Sequence, residues 1–197
     1  MNKRAFRHMN IRGKGFTLVE LMVTVAILII LLAIGVPSMQ QFLQNRQALA
    51  RADNFASTLK FARSEAIKRG KRVAMCRTTT ADTVTPNCNT TGTDWATGWL
   101  VFEDTAPVDG AYQFQTEILL KVQQAASGQG RLDVPANLAA ISFTSDGLAL
   151  GSRGTFVLSP DSSTTTTAGK RCVVLSTMGR VRTGTMKTVG NETQCDQ

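Results

Sequence analysis

Two arginines near the carboxyl end, Arg180 and Arg182, have the charge and the spacing to bind a polyanion. In an extended strand, residues two apart share a face and lie about 6–7 Å from each other. Each guanidinium could then hold one phosphate of a nucleic-acid backbone. Three further bases in the same acid-free stretch could widen the patch: Lys170, Arg171 and Lys187. The alternative is a set of solvated edge-strand charges that discourage aggregation.

A second basic cluster follows a stretch with helical periodicity, and Glu65 is the only acid within it. Its members are Lys60, Arg63, Lys68, Arg69, Lys71, Arg72 and Arg77. We interpret this cluster as a solvated helix face and the turn after it, because charged side chains without an opposing pattern usually face water.

Four cysteines are the other residues with chemistry of their own, and none belongs to a C-x-x-C pair. The only histidine, His8, is far from all of them, so a zinc site is not expected and no metal is predicted. An even number of separated cysteines instead predicts two disulfides in an oxidising compartment. Three pairings remain open, and we favour the two short loops, Cys76–Cys88 and Cys172–Cys195.

The sequence contains no constellation that predicts catalysis. Glu103 and Asp104 are adjacent, so on a strand their carboxylates would point to opposite faces. The glycine-rich stretches lack the spacing of a phosphate-binding loop. We therefore predict a protein that is not an enzyme, with no cofactor and no small-molecule substrate.

The amino-terminal segment carries a strong membrane signal. Residues 16–36 form an apolar run with Glu20 as its only charge, long enough to span a bilayer as a helix. Five bases and no acid precede Gly15, which predicts a cytoplasmic amino end and a periplasmic remainder. A secretory signal has its small residues after the apolar core, whereas here Gly15 comes before it. Removal of that leader would lower the net charge from +8 to +3, with 17 bases against 14 acids.

Glu20 is unusual because a carboxylate within a membrane helix costs about 2.5–3.5 kcal/mol on insertion scales. Cleavage after Gly15 would create an amine at Phe16, one helical turn from Glu20. The amine of a neighbouring subunit could then pair with Glu20, and each group would neutralise the other in an apolar filament core.

The octapeptide KGFTLVEL, residues 14–21, resembles the prepilin peptidase site of type IV pilins and type II secretion pseudopilins. The resemblance implies cleavage between Gly15 and Phe16 by a prepilin peptidase, N-methylation of Phe16, and a role for Glu20 in subunit docking. It also implies other major and minor pilins as partners. The protein would stand in the inner membrane with one span, its head in the periplasm, and later in the filament or at its tip.

The remaining pattern predicts the elements that must position these residues. Five apolar residues recur at three- and four-residue steps, which is one helix face: Ala52, Phe55, Leu59, Ala62 and Ala66. Gly70 is a natural stop for this helix. Short β-rich runs follow at residues 72–76, 98–103, 117–122, 140–144, 154–159 and 171–176, with a turn at 176–179. Four segments result: a cleaved leader (1–15), a transmembrane or filament-core helix (16–37), an amphipathic second half of the helix (38–70) and a β-rich periplasmic head with its tail (71–197).

The head resembles the GspH/FimT family of pseudopilins and minor pilins. The similarity rests on three stretches of sequence: DWATGWLVF at 94–102, ISF followed by DG within 141–147, and CVVLS followed by GRVR within 172–182. It implies an α+β, type IV pilin-like fold, with a long amino-terminal helix packed on an antiparallel β-sandwich. We interpret the aromatic residues Trp95, Trp99 and Phe102 as core residues.

The tail motif favours one function within this family. Gly179-Arg180-Val181-Arg182 resembles the G-R-x-R motif of FimT proteins, which are DNA-binding minor pilins for natural transformation. The resemblance implies sequence-tolerant binding of duplex DNA through the basic tail. The alternatives are a GspH-type minor pseudopilin of a type II secretion system and a pilus-assembly primer without DNA contact.

Overall fold

The computed structural model describes residues 15–105, 109–125, 130–135, 138–149, 151–160, 169–189 and 192–196. Of the predicted leader, only Gly15 lies within them. The elements in chain order are helix α1 (Leu18–Arg69), β1 (Val73–Arg77), a 3-10 turn (Trp95–Thr97), β2 (Trp99–Glu103), β3 (Leu119–Gln123), β4 (Arg131–Asp133), β5 (Ala140–Phe143), β6 (Gly154–Ser159), β7 (Arg171–Leu175), β8 (Val181–Val189) and β9 (Glu192–Asp196).

The chain forms two compact units, Met1–Gln41 and Phe42–Gln197. The first contains the start of α1, whose apolar side chains are exposed. This part of the helix is long and apolar enough to cross a membrane, and none of its apolar window is buried. The helix assignment is unbroken across the boundary predicted at residue 37.

Within the second unit, one face of α1 is buried at three- and four-residue steps. The predicted face is confirmed, because its five members are at most 1% exposed: Ala52, Phe55, Leu59, Ala62 and Ala66. The helix ends as its sequence predicts, since Gly70 adopts a left-handed φ of 64°. The next amide, that of Lys71, donates to the Ala66 carbonyl at 3.3 Å.

Two antiparallel sheets complete this unit, in the strand orders β3-β2-β1-β5 and β4-β6-β7-β8-β9. All six strands predicted from short β-rich runs are present within two residues of their expected bounds. The antiparallel α+β fold class is therefore confirmed. Strand β8 follows the predicted turn, as the extended chain expected at Arg180 and Arg182 implies. Strands β4 and β9 were not predicted, and their polar compositions, RLD and ETQCD, show why.

One core joins the helix to both sheets. Phe55 of α1 lies at its centre, with edge-on ring contacts to Trp95, Trp99 and Phe156 at centroid distances of 6.2, 5.5 and 5.1 Å. A second cluster on the other face of the first sheet contains Phe102, which is fully buried. The interpretation of Trp95, Trp99 and Phe102 as core residues is confirmed.

Both disulfides have the favoured pairing, with Cα–Cα distances of 5.6 Å for Cys76–Cys88 and 6.0 Å for Cys172–Cys195. The second links β7 to β9, although β8 lies between them in the sheet. Gly184 of β8 faces Cys172 across the strand pair. A Cβ on this glycine would lie 3.1 Å from the Cys195 sulfur and 2.1 Å from the Asp196 carbonyl oxygen, so the crossing requires glycine.

The two adjacent acids at the end of β2 are both buried, but they differ in their hydrogen-bond partners. Glu103 is buried and accepts a 3.3 Å bond from Arg69 and a 2.5 Å bond from Lys71. The Lys71 hydrogen bond, with a contribution from Arg69, lowers the pKa of Glu103.

Neither carboxylate oxygen of Asp104 makes a hydrogen bond of good geometry among the described residues. Burial, and secondarily the nearby charge of Glu117, raises the pKa of Asp104. The nearby Arg72 charge and Gly110 amide offset the effect of burial on its pKa only in part.

We expect Asp104→Asn to stabilise the protein at pH 7, because the substitution removes a buried charge without changing the side-chain shape. A raised folded-state pKa means that ionised Asp104 disfavours the fold at neutral pH, and protonation relieves this as pH falls through the folded pKa. The gain in Tm, about 2–4 °C for each kcal/mol of added stability, should therefore vanish below about pH 4. Thermal unfolding of both proteins at pH 7 and below pH 4 measures it. A variant without any gain at pH 7 would contradict the assignment.

Candidate nucleic-acid interface

The two predicted arginines lie at the turn between β7 and β8. Residues 176–180, which we call the arginine turn, close through backbone bonds from the Gly179 amide to the Ser176 carbonyl at 2.9 Å and from the Ser176 amide to the Arg180 carbonyl at 3.0 Å. The Arg180 amide also donates to the Ser176 hydroxyl at 3.1 Å. The predicted turn at 176–179 is confirmed, and it belongs to a packed hairpin.

Arg180 and Arg182 are brought together on one side of this hairpin. Arg182 pairs with Val174 across the strands, whereas the neighbouring Val181 pairs with Leu175 and packs against the core. Both arginines are exposed and line one open hollow, which Val174, Ser176 and Met178 complete. This side of the β7–β8 hairpin therefore presents two guanidinium groups next to each other, as the spacing predicted.

The other three predicted bases lie at the far end of the hairpin. The Met186 amide donates to the Lys170 carbonyl at 3.2 Å, and Arg171 pairs with Thr185. Lys187 forms an ion pair with Asp196. Four residues of strand separate Lys170 from Val174, which corresponds to about 13 Å. The structure therefore does not bring Lys170, Arg171 and Lys187 to the hollow of the arginine pair.

A close-packed contact, in which Arg63, Gly147 and Gly179 meet, fixes the arginine turn to α1. Arg63 of α1 donates from Nε to the Gly147 carbonyl at 3.0 Å. A Cβ at Gly179 would lie 2.1 Å from that same carbonyl oxygen and 2.8 Å from the Arg63 Nε. Gly179 also has a φ of 70°, so the glycine of the G-R-x-R motif is required both for its conformation and for this close approach. A further bond, from the Ala149 amide to the Thr177 carbonyl at 2.9 Å, ties the turn to the same loop.

Arg63 and Gly179 also line a groove between α1 and the hairpin, which we call the α1 groove. Lys60, Arg63 and Ile67 line it from the helix, and Arg180 and Val181 line it from the hairpin. Arg180 thus borders both the α1 groove and the hollow that holds Arg182. Lys60 and Arg63 of α1 consequently belong to the same basic surface as Arg180 and Arg182.

Four other members of the basic cluster at residues 60–77 have partners elsewhere. Arg69 binds Glu65 at 2.7 Å, and Lys68 lies 3.7 Å from the same carboxylate. Arg69 also reaches the buried Glu103, as Lys71 does. Arg77 donates to the backbone carbonyls of Asp94 and Thr91, which fixes the loop before β2. The interpretation of a solvated helix face holds for the four exposed members of the cluster: Lys60, Lys68, Arg69 and Lys71. The other three are half-buried: Arg63, Arg72 and Arg77.

The grouping of Lys60 with Arg180 was missed from the sequence. The signal that could have indicated it is the spacing of Lys60, Arg63, Ser64 and Ile67, which is i, i+3, i+4 and i+7 and defines one helix face beside the buried one. Nothing in the sequence states which strand that face meets.

The predicted processing site precedes the first helical turn. Gly15 and Phe16 are exposed and outside the helix, and Thr17 caps α1 by accepting the Glu20 amide on its hydroxyl at 3.2 Å. Glu20 thus lies in the first turn, where the helix dipole favours a carboxylate. Thr17 and Glu20 have the spacing of a capping box. Cleavage, methylation and subunit docking at these residues stay predictions.

An apolar amino-terminal helix that continues into an antiparallel β unit, preceded by a prepilin-type sequence, defines the class of type IV pilin-like proteins. A family model described as "Type II transport protein GspH" matches residues 51–179. Because the match covers more than half of the chain, the protein belongs to this family. A second model, "Prokaryotic N-terminal methylation motif", matches residues 12–36.

Individual relatives support the same class. Two proteins of Pseudomonas aeruginosa named "Fimbrial protein" are each 45% identical over 65 residues, which is 33% of this chain and 42% of theirs. The match therefore spans less than half of their length. Two crystal structures of the type IV minor pilin FimU from P. aeruginosa superpose with TM-scores of 0.50, at 18% and 17% identity. They cover 68% and 72% of this chain and 90% of FimU, and they show the fold alone.

Proposed function

We propose that this protein is a minor type IV pilin that binds duplex DNA through Arg180 and Arg182 for uptake during natural transformation. The observation that carries the proposal is the exposed pair of arginines on a rigid turn, lining one hollow together. In the part of the chain that the structure describes, no ion pair involves Arg180. Phosphate contacts from such a pair position a duplex without reading its bases, so binding is sequence-tolerant.

The proposed location follows from the amino-terminal segment. After removal of residues 1–15 by the prepilin peptidase, α1 anchors the subunit in the inner membrane with its head in the periplasm. Assembly with other major and minor pilins then carries the arginine turn into the filament or to its tip. The methylation motif at residues 12–36 supports this route.

Fluorescence anisotropy of the full chain in detergent, titrated into a labelled duplex across a salt series, tests the proposal. The slope of log K against log salt becomes shallower by about 0.9 for each phosphate contact that is lost. At 0.15 M salt this corresponds to an affinity about fivefold weaker. Arg180→Gln with Arg182→Gln should therefore weaken binding about thirtyfold at that salt. The matched control is Lys68→Gln with Lys187→Gln, which removes the same charge from two paired lysines. Equal affinities of the two double variants would refute the site.

A second candidate, a minor pseudopilin of a type II secretion system, is favoured by the description of the matching family. It acts through protein contacts alone, so its deletion abolishes exoprotein secretion and leaves DNA uptake intact. The proposed function predicts the reverse, and a primer of pilus assembly would lose surface pili. Deletion followed by these three assays separates the functions.

A further inference from the structure

We propose that Lys60 of α1 is a further phosphate-binding residue, and that the DNA site continues from the arginine pair into the α1 groove. This inference rests on the proposed function, since it extends the same site. The observation that carries it is the position of Arg180, which borders the hollow of Arg182 on one side and the groove of Lys60 on the other. Three cations from two distant parts of the sequence thereby line adjoining depressions.

Lys60 is suited to this role by its surroundings. It is exposed, and none of the ion pairs within the described ranges involves it. The bases that follow Arg63 along the helix differ, because Lys68 and Arg69 both form ion pairs with Glu65. A compact ammonium on a flexible stem can follow a phosphate that Arg180 holds from the opposite wall.

Arg63 lines the same groove but has a different task. Its Nε is engaged by the Gly147 carbonyl at 3.0 Å, and Gly179 packs against both groups. We assign Arg63 as a positioning residue that holds the arginine turn at a fixed place relative to Lys60. This fixation reduces the ordering cost of binding, because the turn does not have to be immobilised by the ligand.

The salt slope distinguishes a contact from a positioning residue. With a labelled duplex and the full chain in detergent, Lys60→Gln should lower the slope by about 0.9 and the affinity about fivefold at 0.15 M salt. Lys68→Gln, the same change two turns along the helix, should leave both values at those of the wild type. Arg63→Gln should weaken binding with the wild-type slope, because no phosphate contact is removed.

The outcomes separate this inference from the proposed function. If the arginine double variant loses binding while Lys60→Gln behaves as Lys68→Gln does, Lys60 is not a contact and only the extension is wrong. If the double variant binds as tightly as the wild type, the proposed function itself is wrong. A reduced slope for Arg63→Gln would assign that residue to the phosphates and overturn its positioning role. Tryptophan fluorescence checks the fold of each variant, and Arg63→Lys, which keeps the charge, replaces Arg63→Gln if that variant unfolds.

Discussion

Phe55→Ala is expected to destabilise the protein by about 3–5 kcal/mol, the cost of truncating a fully buried phenylalanine. Phe55 is 0% exposed and contacts Trp95 and Trp99 on one side of the core and Phe156 of β6 on the other. Its removal opens a cavity at the point where α1 meets both sheets. Because domains have about 5–15 kcal/mol of total stability, the loss is a large share of it.

Thermal unfolding followed by tryptophan fluorescence measures this effect directly, since the only two tryptophans of the chain both touch Phe55. A loss of that size lowers Tm by about 6–20 °C in a chain of this length. Phe42→Ala is the control within the same helix, because Phe42 is 51% exposed and its ring contacts only the Arg46 guanidinium, at 4.9 Å, among the described aromatic and cationic pairs. Equal shifts for both variants would show that Phe55 does not hold the core together.

The fold was predictable where a pattern is local and repeated. The buried helix face has a 3.6-residue period, and runs such as CVVLS and GWLVFE combine β-forming residues with flanking turn signals. Strands β4 and β9 lack such a pattern, and contacts with other elements hold each of them in place. Strand β4 pairs with β6, and the Asp94 carboxylate accepts its Leu132 amide at 3.0 Å. Strand β9 pairs with β8 and is tied to β7 by Cys195.

The candidate site was likewise predictable only where it depends on local spacing. The proximity of Arg180 and Arg182 is a local property of two residues at the turn and the start of β8, so spacing sufficed to predict it. The approach of Lys60 depends on the packing of α1 against the hairpin, which the sequence does not state. Neither does it state that Glu103, 34 residues after Arg69, would bind that arginine. Tertiary packing therefore decides which members of a charge cluster are available to a ligand.

Glu20→Ala is expected to abolish incorporation of the subunit into filaments, while membrane insertion and leader cleavage continue. In the proposed assembly, Glu20 pairs with the amine at Phe16 of a neighbouring subunit within an apolar environment. Removal of one member of a buried ion pair leaves the other charge uncompensated and costs about 3–5 kcal/mol, which is more than a hundredfold in an equilibrium constant. Immunoblots of sheared filaments against the membrane fraction measure this ratio.

The proposed docking role of Glu20 is separable from its place in the helix cap. Its amide is capped by the Thr17 hydroxyl, and a glutamine at position 20 retains the capping-box spacing while removing the charge. Glu20→Gln should therefore fail to assemble as Glu20→Ala does if the charge is what matters, and should assemble if the helix cap is. Thr24→Ala, one turn further along the exposed helix, controls for any substitution in this segment, because the Thr24 hydroxyl donates to the Leu21 carbonyl of its own helix at 2.9 Å. Normal incorporation of Glu20→Ala would refute the docking role of this carboxylate.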